Sequence, residues 1–600
     1  MNSISDIISQ EEAGNLHGLF QERVRRSPHR IAYRHYNSST HQWEDISWQQ
    51  MAEEVARWQT ALARENLEPG TRVGLILRNC PAWVQFEQAA LGLGLVVVPL
   101  YTNDRPDNIA YIIDNADVKC LLFEGQEHWQ ILQGILDRLD TVQRFISLQD
   151  PGNHSEVRLT SISHWIPAQQ DNLVRPEINP RDLASIVYTS GTTGKPKGVM
   201  LSHENILWNA CAASKCERFY NDDVYLSFLP LSHMFERTGG YYLPMVAGST
   251  VAYARSIEKL AEDLLSIRPT ILISVPRIYE RVNNKIKAQL EDKSPLARKL
   301  FSNAVSTGWQ MFEHQQDRDR WRPRQLLWPV FKTLVARKIM QKLGGRLRIA
   351  VCGGAPLPVD VARTFIGLGL PLLQGYGMTE LGPVASVNRR TNNDPASVGK
   401  VLDDVEVKLG DDNELLVRSP GIMKGYWNNE EATRGIIDEQ GWLHTGDVAR
   451  IDNGFIYITG RIKDIIVLSN GEKVPPADIE MAIANDPLFD QAMVIGEGKP
   501  FLSCITVLNP ESWQQIARDH NLDPDDSASL ENKTIIRLLL DKINHQLHDF
   551  PGYAKIYRVR ATLTPWGIED GLITPTLKLK RNELRETFAD DIARFYRGHE

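Results

Sequence analysis

The sequence predicts an α/β protein with a large N-terminal domain, in which parallel-rich sheets are covered by helices, and a smaller α+β C-terminal domain. Three stretches of the 600 residues support this fold class. Short apolar runs alternate with helical stretches from about residue 70 to 350, and short strands with Asp-, Asn- and Gly-rich turns follow residue 399. Strands and helices mix beyond residue 460. We therefore expect domains at 1–460 and 461–600, with a β-rich, barrel-like unit at about 399–460.

The first stretch contains apolar runs that predict strands and periodic segments that predict helices. The strands are expected at Val73–Leu77, Leu95–Leu100, Lys119–Phe123, Ser185–Tyr188 and Thr270–Val275. The helices are expected at Ala52–Arg64, Pro81–Leu91 and Asn205–Ser214. The longest apolar run, Ala89–Leu100, is too short to cross a bilayer, which needs about 20 residues. We interpret that run as a buried strand.

The remaining stretches have shorter elements. The β-rich unit should contain strands at Val405–Leu409, Glu414–Arg418, Val448–Ile451 and Phe455–Thr459. The C-terminal domain should contain helices at Pro476–Ala484 and Lys533–Leu547. Because no segment of 20–50 residues repeats, a solenoid or a propeller is excluded.

Composition narrows the class of protein. The net charge of −8 argues against a nucleic-acid partner held by overall positive charge. Six scattered cysteines do not form the pattern of a disulfide framework and predict reduced thiols. The segment Met1–Glu12 lacks the basic start and apolar stretch of a secretory signal. We expect a cytoplasmic protein.

A basic helical insertion is expected at about 283–345. Residues 277–348 contain 17 Lys and Arg against 6 Asp and Glu, although the whole chain is acidic. Apolar residues at helical spacing share one face: Ala297, Leu300, Phe301, Ala304, Val305, Gly308, Trp309 and Phe312. One interpretation is an amphipathic helix packed on its own domain. The other is a peripheral surface for anionic lipid at the inner face of a membrane, using Arg318, Arg320, Arg322, Arg324, Trp321 and Trp328.

The strongest local motif is the run from Tyr188 to Gly198, which directly follows a predicted strand. Glycines allow the backbone to approach a ligand, hydroxyl groups donate hydrogen bonds, and two lysines, Lys195 and Lys197, add positive charge. The residues that supply the glycines and hydroxyls are Thr189, Ser190, Gly191, Thr192, Thr193 and Gly194. This combination predicts a polyphosphate cradle. It is not a Walker A loop, because Pro196 follows the lysine where Ser or Thr is required.

The loop resembles the phosphate-binding signature of the AMP-forming adenylating superfamily, which includes acyl-CoA synthetases, aryl-CoA ligases, luciferases and peptide-synthetase adenylation domains. Further segments resemble the superfamily's motifs in the same order: Pro230–Arg237, Gly353–Pro358, Gln374–Glu380, Gly441–Asp447, Gly460–Ile466 and Thr574–Leu579. The likeness extends from about Leu16 to Arg585. The sequence around His233, the Trp-Leu-His-Thr-Gly-Asp segment and the basic insertion are most similar to those of long-chain fatty-acid–CoA ligases.

The resemblance implies ATP, Mg²⁺ and CoA as cofactor and co-substrates, with roles for particular residues. Residues 189–195 would hold the phosphates, Thr379 would contact the α-phosphate, and Glu380 with Thr189 would bind Mg²⁺. The adenine segments are implied to be Gly354, Ala355, Pro356, Gln374, Gly375, Tyr376 and Gly377, with the Tyr376 ring stacked on adenine. Asp447 would accept hydrogen bonds from both ribose hydroxyls, with Arg461 nearby.

Three further residues are implied to serve the reaction itself. Lys578, preferred over its neighbour Lys580, would stabilise charge on the α-phosphate as pyrophosphate leaves. His233 would shape the acyl site. Lys463 occupies the hinge position, about which the C-terminal domain would turn as a mobile lid so that a thiol reaches the carbonyl that Lys578 had covered.

The implied function is an ATP-dependent ligase that converts a long-chain fatty acid to acyl-AMP with release of pyrophosphate, and then transfers the acyl group to the CoA thiol. The alternative is an acyl–acyl-carrier-protein ligase or an acyl-AMP ligase, since the basic insertion would also suit an acidic carrier protein. A binding module without turnover is a further alternative. The family begins to line its acyl tunnel at positions that match Phe235, Gly239, Gly240, Tyr241 and Tyr242. The same aromatic residues would also close a short pocket for an aryl acid. The oligomeric state is left open.

Overall fold

The computed structural model of the protein describes residues 4–152, 154–171, 176–189, 195–291, 293–548, 550–574 and 578–598. The strands, in chain order, are β1 (Ile31–Asn37), β2 (Gln42–Ser47), β3 (Arg72–Ile76), β4 (Val96–Pro99), β5 (Val118–Phe123), β6 (Arg144–Ser147), β7 (Leu159–Ser161), β8 (Leu183–Thr189), β9 (Lys197–Ser202), β10 (Val224–Ser227), β11 (Thr250–Tyr253), β12 (Ile271–Ser274), β13 (Ile349–Cys352), β14 (Leu372–Gly377), β15 (Val384–Val387), β16 (Lys400–Val401), β17 (Glu406–Leu409), β18 (Glu414–Arg418), β19 (Gly425–Tyr426), β20 (Leu443–Asp452), β21 (Phe455–Arg461), β22 (Ile466–Val467), β23 (Lys473–Val474), β24 (Phe489–Ile495), β25 (Leu502–Leu508) and β26 (Ile556–Thr562).

The α-helices, in chain order, are α1 (Gln10–Ala13), α2 (Leu16–Arg26), α3 (Trp48–Ala63), α4 (Pro81–Leu91), α5 (Pro106–Asn115), α6 (Gln126–Gln133), α7 (Ile162–Trp165), α8 (His203–Ser214), α9 (Met234–Glu236), α10 (Leu243–Ala247), α11 (Leu260–Ile267), α12 (Pro276–Glu291), α13 (Pro295–Gln315), α14 (Trp328–Phe331), α15 (Arg337–Lys342), α16 (Val359–Gly367), α17 (Glu430–Arg434), α18 (Pro476–Ile483), α19 (Pro510–Asp519), α20 (Ser527–Leu530), α21 (Lys533–Gln546), α22 (Arg581–Thr587) and α23 (Ala589–Tyr596). Two π-helical segments, Arg237–Tyr242 and Lys332–Ala336, join α9 to α10 and α14 to α15.

Two large sheets carry the N-terminal part of the chain. One has nine strands in the order β16-β15-β14-β13-β12-β10-β11-β1-β2, and the other has eight in the order β19-β9-β8-β4-β3-β5-β6-β7. Parallel pairs such as β3–β4, β3–β5, β12–β13 and β13–β14 dominate both sheets. The β-rich unit is an antiparallel sheet, β17-β18-β20-β21. The predicted fold class, a large α/β portion followed by a smaller α+β portion, is confirmed.

The chain beyond Arg461 has apolar cores of its own. The sheet β24-β25-β26 combines one antiparallel and one parallel pair. The helices α18, α19 and α21 contribute Ile479, Trp513 and Leu539 to one buried cluster, which also includes Leu502 of β25. A second cluster contains Trp566 and residues of the last two helices. These cores are distinct from those of the two large sheets, as expected for a separate domain.

One apolar run was interpreted wrongly. The segment Ala89–Leu100 is not a single strand, because its first three residues end α4 and a turn through Gly92 and Gly94 precedes β4. The helix end and the strand are both buried, so an apolar run does not distinguish a buried helix end from a buried strand. The helix itself begins where Pro81 occupies the first turn, a position that needs no backbone N–H.

The basic insertion is an enlarged connection between two neighbouring parallel strands, β12 and β13. Its long helix α13 packs against α16, and the contact is so close that a Cβ on Gly308 would lie 1.9 Å from the carbonyl oxygen of Gly367. Trp309 and Phe312 of the same helix pack against the apolar cluster of the nine-stranded sheet. The predicted apolar face of this helix therefore covers its own domain. Among the described residues, no helix has the length and apolarity needed to cross a membrane.

A buried ion pair joins the π-helical segment after α9 to α4 and to the eight-stranded sheet. The Arg237 guanidinium, fully buried, donates hydrogen bonds to the Glu87 carboxylate on α4 and to the Ser185 hydroxyl on β8, the latter at 2.8 Å. Ser185 in turn donates to the carbonyl oxygen of Val97 at 2.7 Å. A buried charge is tolerated only when it is paired and hydrogen-bonded. This contact fixes the π-helical segment relative to the strand that leads into the glycine-rich loop.

Candidate active site

The predicted site residues lie in a cleft at the carboxyl ends of strands. The glycine-rich loop follows β8, the Gly353–Pro358 loop follows β13, and Tyr376 lies in the last residues of β14. Ligands of open parallel sheets bind at this edge, because the loops that follow neighbouring strands converge there. The strands β20 and β21 complete one wall with Asp447 and Arg461, which are paired across the antiparallel ladder.

Asp447 is held in place by two side chains before any nucleotide binds. Its Oδ2 accepts a hydrogen bond from the Tyr376 hydroxyl at 2.6 Å, and its Oδ1 accepts one from the Arg461 Nε at 2.8 Å. Burial opposes the charge on Arg461, but the Asp447 carboxylate outweighs it and raises the pKa of the guanidinium. Because each carboxylate oxygen retains a second lone pair, Asp447 still has the capacity to accept from two hydroxyl groups.

Tyr376 has a second feature relevant to a nucleotide. Burial, reinforced by the neighbouring Asp447 charge, raises the pKa of its hydroxyl well above the usual value. The hydroxyl therefore remains a donor at all working pH values, and the bond to Asp447 fixes the ring in the cleft. The predicted stacking of this ring on adenine stays a prediction.

Glu380 is held by a tyrosine that sequence reasoning missed. Its Oε1 accepts a hydrogen bond from the Tyr426 hydroxyl at 2.8 Å, and both residues are buried. Burial and then the Glu380 charge raise the pKa of Tyr426, so the hydroxyl stays protonated. Tyr426 belongs to the short strand β19, far from Glu380 in the sequence, and no local signal identifies it. The adjacent Thr379 is buried at the start of the same short helical turn.

The predicted adenine segments are arranged around a structural glutamine. The Gln374 side chain accepts from the Leu357 N–H at 2.8 Å and donates to the Ser397 carbonyl at 3.2 Å. Its amide therefore braces the Gly353–Pro358 loop, and a role in binding would fall to its backbone and to Gly375. Gly354, Ala355 and Pro356 in that loop are exposed to the cleft. Gly377 has no room for a side chain, because a Cβ there would lie 2.0 Å from the carbonyl oxygen of Pro383.

His233 is a neutral residue at the start of α9. Its Nδ1 accepts a hydrogen bond from the Phe235 N–H at 3.2 Å, so the ring proton is assigned to Nε2. Burial, followed by the positive charge of Lys578, lowers the pKa of His233 to about 4. The Phe235 ring lies against Gly353, where a Cβ would approach the ring to 3.0 Å. These contacts join the helix of the predicted acyl site to the loop of the predicted adenine site.

Lys578 enters the same cleft from the C-terminal portion of the chain. Its turn is closed by Thr574, whose N–H donates to the Lys578 carbonyl at 2.8 Å, while the Lys578 N–H donates to the Thr574 hydroxyl at 3.1 Å. The residue as a whole keeps exposed surface. The protein around it nevertheless lowers its pKa through burial and then through Arg461, whereas Asp447 and Glu380 oppose that shift. The structure thus brings this cation together with both predicted nucleotide carboxylates.

The glycine-rich loop connects the paired strands β8 and β9, in which Tyr188 faces Gly198 and Thr189 faces Lys197. The predicted residues Ser190, Gly191, Thr192, Thr193 and Gly194 lie outside the described residues. The Nζ of Lys195 lies 5.1 Å from the centre of the Tyr111 ring, and the Nζ of Lys197 lies 5.0 Å from that of Tyr426. The second contact places a cation beside the tyrosine that holds Glu380.

The predicted hinge residue Lys463 lies in the exposed connection between β21 and β22. Its neighbour Arg461 is the last residue of β21 and is bonded to Asp447. Asp464 lies 3.9 Å from Arg581, which is bonded to Glu480. The connection is therefore anchored on both sides, with Lys463 exposed between the anchors.

This fold and cleft define an enzyme of the adenylate-forming class. Residues 20–427 match the family described as AMP-binding enzyme, and residues 463–600 match the AMP-binding enzyme C-terminal domain. The chain belongs to the AMP-binding enzyme family. The resemblance inferred from the ordered motifs is confirmed.

Curated relatives cover nearly the whole chain. The long-chain-fatty-acid–CoA ligase FadD15 of Mycobacterium bovis is 29% identical over 98% of this chain and 97% of its own length. The peroxisomal long chain acyl-CoA synthetase 6 of Arabidopsis thaliana is 30% identical over 90% of this chain and 79% of its own length. Both are similar to this chain over most of its length.

Solved structures share the fold at lower identity. The anthranilate CoA ligase AuaEII, determined in complex with anthranoyl-AMP, superposes with a TM-score of 0.74 at 20% identity and covers 96% of this chain and 98% of its own. The adenylation domain of the carboxylate reductase of Mycobacterium chelonae superposes with a TM-score of 0.77 at 20% identity, covering 98% and 94%. At this identity the likeness concerns the fold alone.

Proposed function

We propose that this protein is an ATP-dependent long-chain fatty-acid–CoA ligase that works through an acyl-adenylate. The observation that carries the proposal is the convergence of Lys578, Asp447 and Glu380 in one cleft, from parts of the chain far apart in sequence. The similarity to curated long-chain ligases over nearly the whole chain supports the substrate class.

In the first half-reaction a carboxylate oxygen of the fatty acid attacks the α-phosphorus of ATP, and the bond to the bridging oxygen of pyrophosphate breaks. Both reactants are anions, so catalysis consists mainly of positioning and of neutralising charge. Asp447 holds the ribose, the Tyr376 ring holds the adenine, and residues 189–195 cradle the phosphates. Lys578 neutralises the charge that develops on the α-phosphate oxygens.

The donor set around Glu380 suits a magnesium ion carried in with ATP. Mg²⁺ usually binds one or two protein carboxylates and completes its shell with phosphate oxygens and water. No group of three or more His, Cys, Asp or Glu side chains arranged for a metal occurs in the described part of the chain, which fits an ion held largely by its substrate. Glu380, fixed by Tyr426, and Thr189 would hold it. When bound, the ion neutralises charge on the phosphates.

In the second half-reaction the CoA thiol attacks the carbonyl carbon of the acyl-adenylate, and AMP leaves with its α-phosphate. Lys578 lies in the cleft during the first step, and the thiol needs a path to the same carbonyl. Rotation of residues 461–600 about the exposed Lys463 would withdraw the lysine and open that path. His233, with its Nδ1 bonded to the backbone, would line the acyl site as a neutral ring.

We expect the acyl group to lie beside Phe235. The helix that carries Phe235 continues into the π-helical segment with the buried residues Tyr241 and Tyr242, whose ring centres are 4.4 Å apart. An apolar tunnel selects a chain by length, because each buried methylene contributes about 0.8 kcal/mol. A carrier-protein thiol would require the same adenylation cleft, so the two acceptors must be compared directly.

A panel of acids with ATP and either CoA or acyl carrier protein tests the function. Release of pyrophosphate that depends on palmitate or oleate, followed by thioester formation with CoA, is the expected result. Aryl acids such as benzoate should give at least about tenfold less pyrophosphate. Thioester formed only on the carrier protein would show that the acceptor is the carrier protein and not CoA. An absence of pyrophosphate with every acid would refute the proposed function.

A further inference from the structure

The segment 323–342 of the insertion is apolar on two opposite sides. Its inner side packs against the domain: the Trp328 ring lies against Gly308 and Gly369, and Phe331 and Ala336 are buried. A helix normally has one apolar stripe, which it buries, and a polar opposite face. A helix that is apolar on both sides needs a second apolar environment.

The outer side of this segment carries an apolar ridge, which we define as Leu326, Leu327, Val330 and Leu334. These side chains are 70%, 50%, 52% and 49% exposed, and the first, third and fourth are spaced at intervals of four residues. Trp321, 51% exposed, lies just before the segment. Of the sixteen large apolar side chains exposed in the described part of the chain, five therefore lie within fourteen residues. An exposed apolar patch of this kind marks an interaction surface.

Positive charge surrounds the ridge without acidic compensation. Residues 321–348 contain eight Lys and Arg and no Asp or Glu. Lys332, Arg337 and Lys338 are exposed on the turns that carry the ridge. Within the described ranges, none of the three has a carboxylate within 4 Å, so their charge is available to an outside partner.

The arginines that the sequence predicted as lipid contacts form other contacts or lie outside the ridge. Arg318 is bonded to Glu313 and to the Asn393 carbonyl, and Arg322 is bonded to Asp319. Arg324 donates to the Asn303 side chain at 2.6 Å. These contacts tie the start of the segment to the domain. The exposed side chain of Arg320 forms no ion pair within the described residues, and neither do Lys332, Arg337 and Lys338, which lie further along the chain beside the ridge.

We propose that the ridge, together with Lys332, Arg337 and Lys338, docks on the surface of an anionic lipid bilayer. The leucines and Val330 enter the boundary between headgroups and acyl chains, and the cations contact the lipid phosphates. A bilayer matches both observations at once, because it offers a continuous apolar layer beneath a uniform negative surface. An acidic protein would match the charge, but it would leave a row of exposed leucines without a partner.

This surface deepens the proposed function and rests on it, because a long-chain acid resides in the bilayer. Docking through the ridge would hold the enzyme at the lipid surface that contains the substrate. We expect the acid to be taken from the membrane rather than from bulk water.

Vesicle flotation with the full chain tests the surface. We expect wild type to float with vesicles of phosphatidylcholine containing 30% phosphatidylglycerol and to remain below with phosphatidylcholine alone. The triple variant Leu326→Ser, Val330→Ser, Leu334→Ser should bind at least about 50-fold more weakly, since each of the three apolar side chains contributes about fivefold. The triple variant Lys332→Glu, Arg337→Glu, Lys338→Glu should bind at least about 100-fold more weakly, since each removed charge costs about fivefold.

Matched controls lie elsewhere on the chain. Leu265→Ser and Leu409→Ser remove exposed leucines outside the ridge, and Lys533→Glu, Arg537→Glu, Lys555→Glu reverse three exposed cations of the C-terminal portion. These controls should float like wild type. Equal losses in the ridge variants and the matched controls would overturn the proposal. Floating of the ridge variants like wild type would overturn it as well.

Activity separates this surface from the proposed function. With soluble octanoate, both ridge variants should release pyrophosphate within about twofold of wild type, which also shows that they are folded. With oleate presented in anionic vesicles they should be at least about tenfold slower. A wild type that adenylates octanoate but does not bind vesicles would refute the surface alone. Self-association, or binding of acyl carrier protein, that is lost in the ridge variants while vesicles are ignored would assign the surface to a protein partner and overturn the lipid proposal.

Discussion

The two sides of the cleft are built differently. On the N-terminal side, Asp447 and Glu380 are each held by a tyrosine hydroxyl, and Asp447 has a further bond from Arg461. On the C-terminal side, the described contacts of Lys578 are hydrogen bonds between its backbone and Thr574, and charge interactions through the cleft. A carboxylate held by hydrogen bonds keeps its position whether or not the lysine is present.

The difference indicates a division of labour between the two sides. The nucleotide side is preorganised, so ATP and acyl-AMP would meet the same geometry in both half-reactions. The lysine side is held by a few charge interactions, which a rotation can exchange for solvent at modest cost. Substitutions on each side should therefore change the rates of the two half-reactions in different ways.

The largest effect is expected on the C-terminal side of the cleft. Lys578→Ala should lower the rate of adenylate formation by about 10²–10³-fold, because one charge stabiliser of the transition state is lost. Transfer of the acyl group to CoA from preformed acyl-AMP should change by less than about threefold. Pyrophosphate release and thioester formation measured separately would check this, with Lys580→Ala as the control. An equal loss in both half-reactions would contradict the division of labour.

On the N-terminal side of the cleft, Asp447→Ala should raise the KM for ATP by about 10–100-fold, the scale for losing hydrogen bonds to a charged group. It should also weaken the binding of acyl-AMP, so that both half-reactions suffer. The measurement is the KM for ATP together with the dissociation constant of a non-hydrolysable adenylate analogue. Arg450→Ala, on the exposed part of the same strand, is the control. A selective loss of the first half-reaction would contradict the assignment.

A subtler change on the same side concerns Tyr426. Tyr426→Phe removes the bond to Glu380 and keeps the ring, so adenylation should fall by about fivefold to tenfold. The apparent affinity for Mg²⁺ should fall with it, and a raised Mg²⁺ concentration should restore part of the rate. Tyr457→Phe, which removes a different tyrosine–carboxylate bond, should leave the Mg²⁺ titration unchanged. An unaltered titration in the Tyr426 variant would remove its positioning role.

The smallest effect is a shift of a pH profile. Burial lowers the pKa of Lys578, and only the protonated form carries the charge, so kcat/KM for ATP should decline on the alkaline side at a lower pH than for an ordinary lysine. In Lys578→Arg the alkaline decline should move to higher pH, whatever the absolute rate. His233, with a pKa of about 4, is neutral above that value and should contribute no step between pH 6 and 8. A decline at the same pH in both proteins would contradict the assignment.

Local features of the chain were predicted well from the sequence. The helix at Pro81–Leu91 was predicted with its bounds, because a proline in the first turn and a glycine directly after the last residue mark both ends. The strand before the glycine-rich loop was predicted from its short apolar run, and the structure extends it to Leu183–Thr189. Glycine motifs such as the one around Gly377 also leave a trace in the sequence, because only glycine fits where the backbone passes so close to the Pro383 carbonyl.

Long-range partners left no such trace. Tyr426 reaches Glu380 through the pairing of β19 with β9, and nothing beside either residue indicates that contact. The Gln374 amide, expected to serve a nucleotide, is bonded to Leu357 and Ser397. In the insertion, a count of charges could not distinguish Arg318, neutralised by Glu313, from Lys332, which has no carboxylate within 4 Å in the described part of the chain.

The ion pair between Arg237 and Glu87 has a consequence for anyone who redesigns chain-length preference. The π-helical segment that begins at Arg237 cannot be exchanged alone with that of a relative, because an orphaned glutamate would remain in the interior at a cost of about 3–5 kcal/mol. Since Ser185 shares the same guanidinium, such a graft would also disturb the strand that leads to the phosphates. A successful transplant would have to move α4, the start of β8 and the acyl helix as one block.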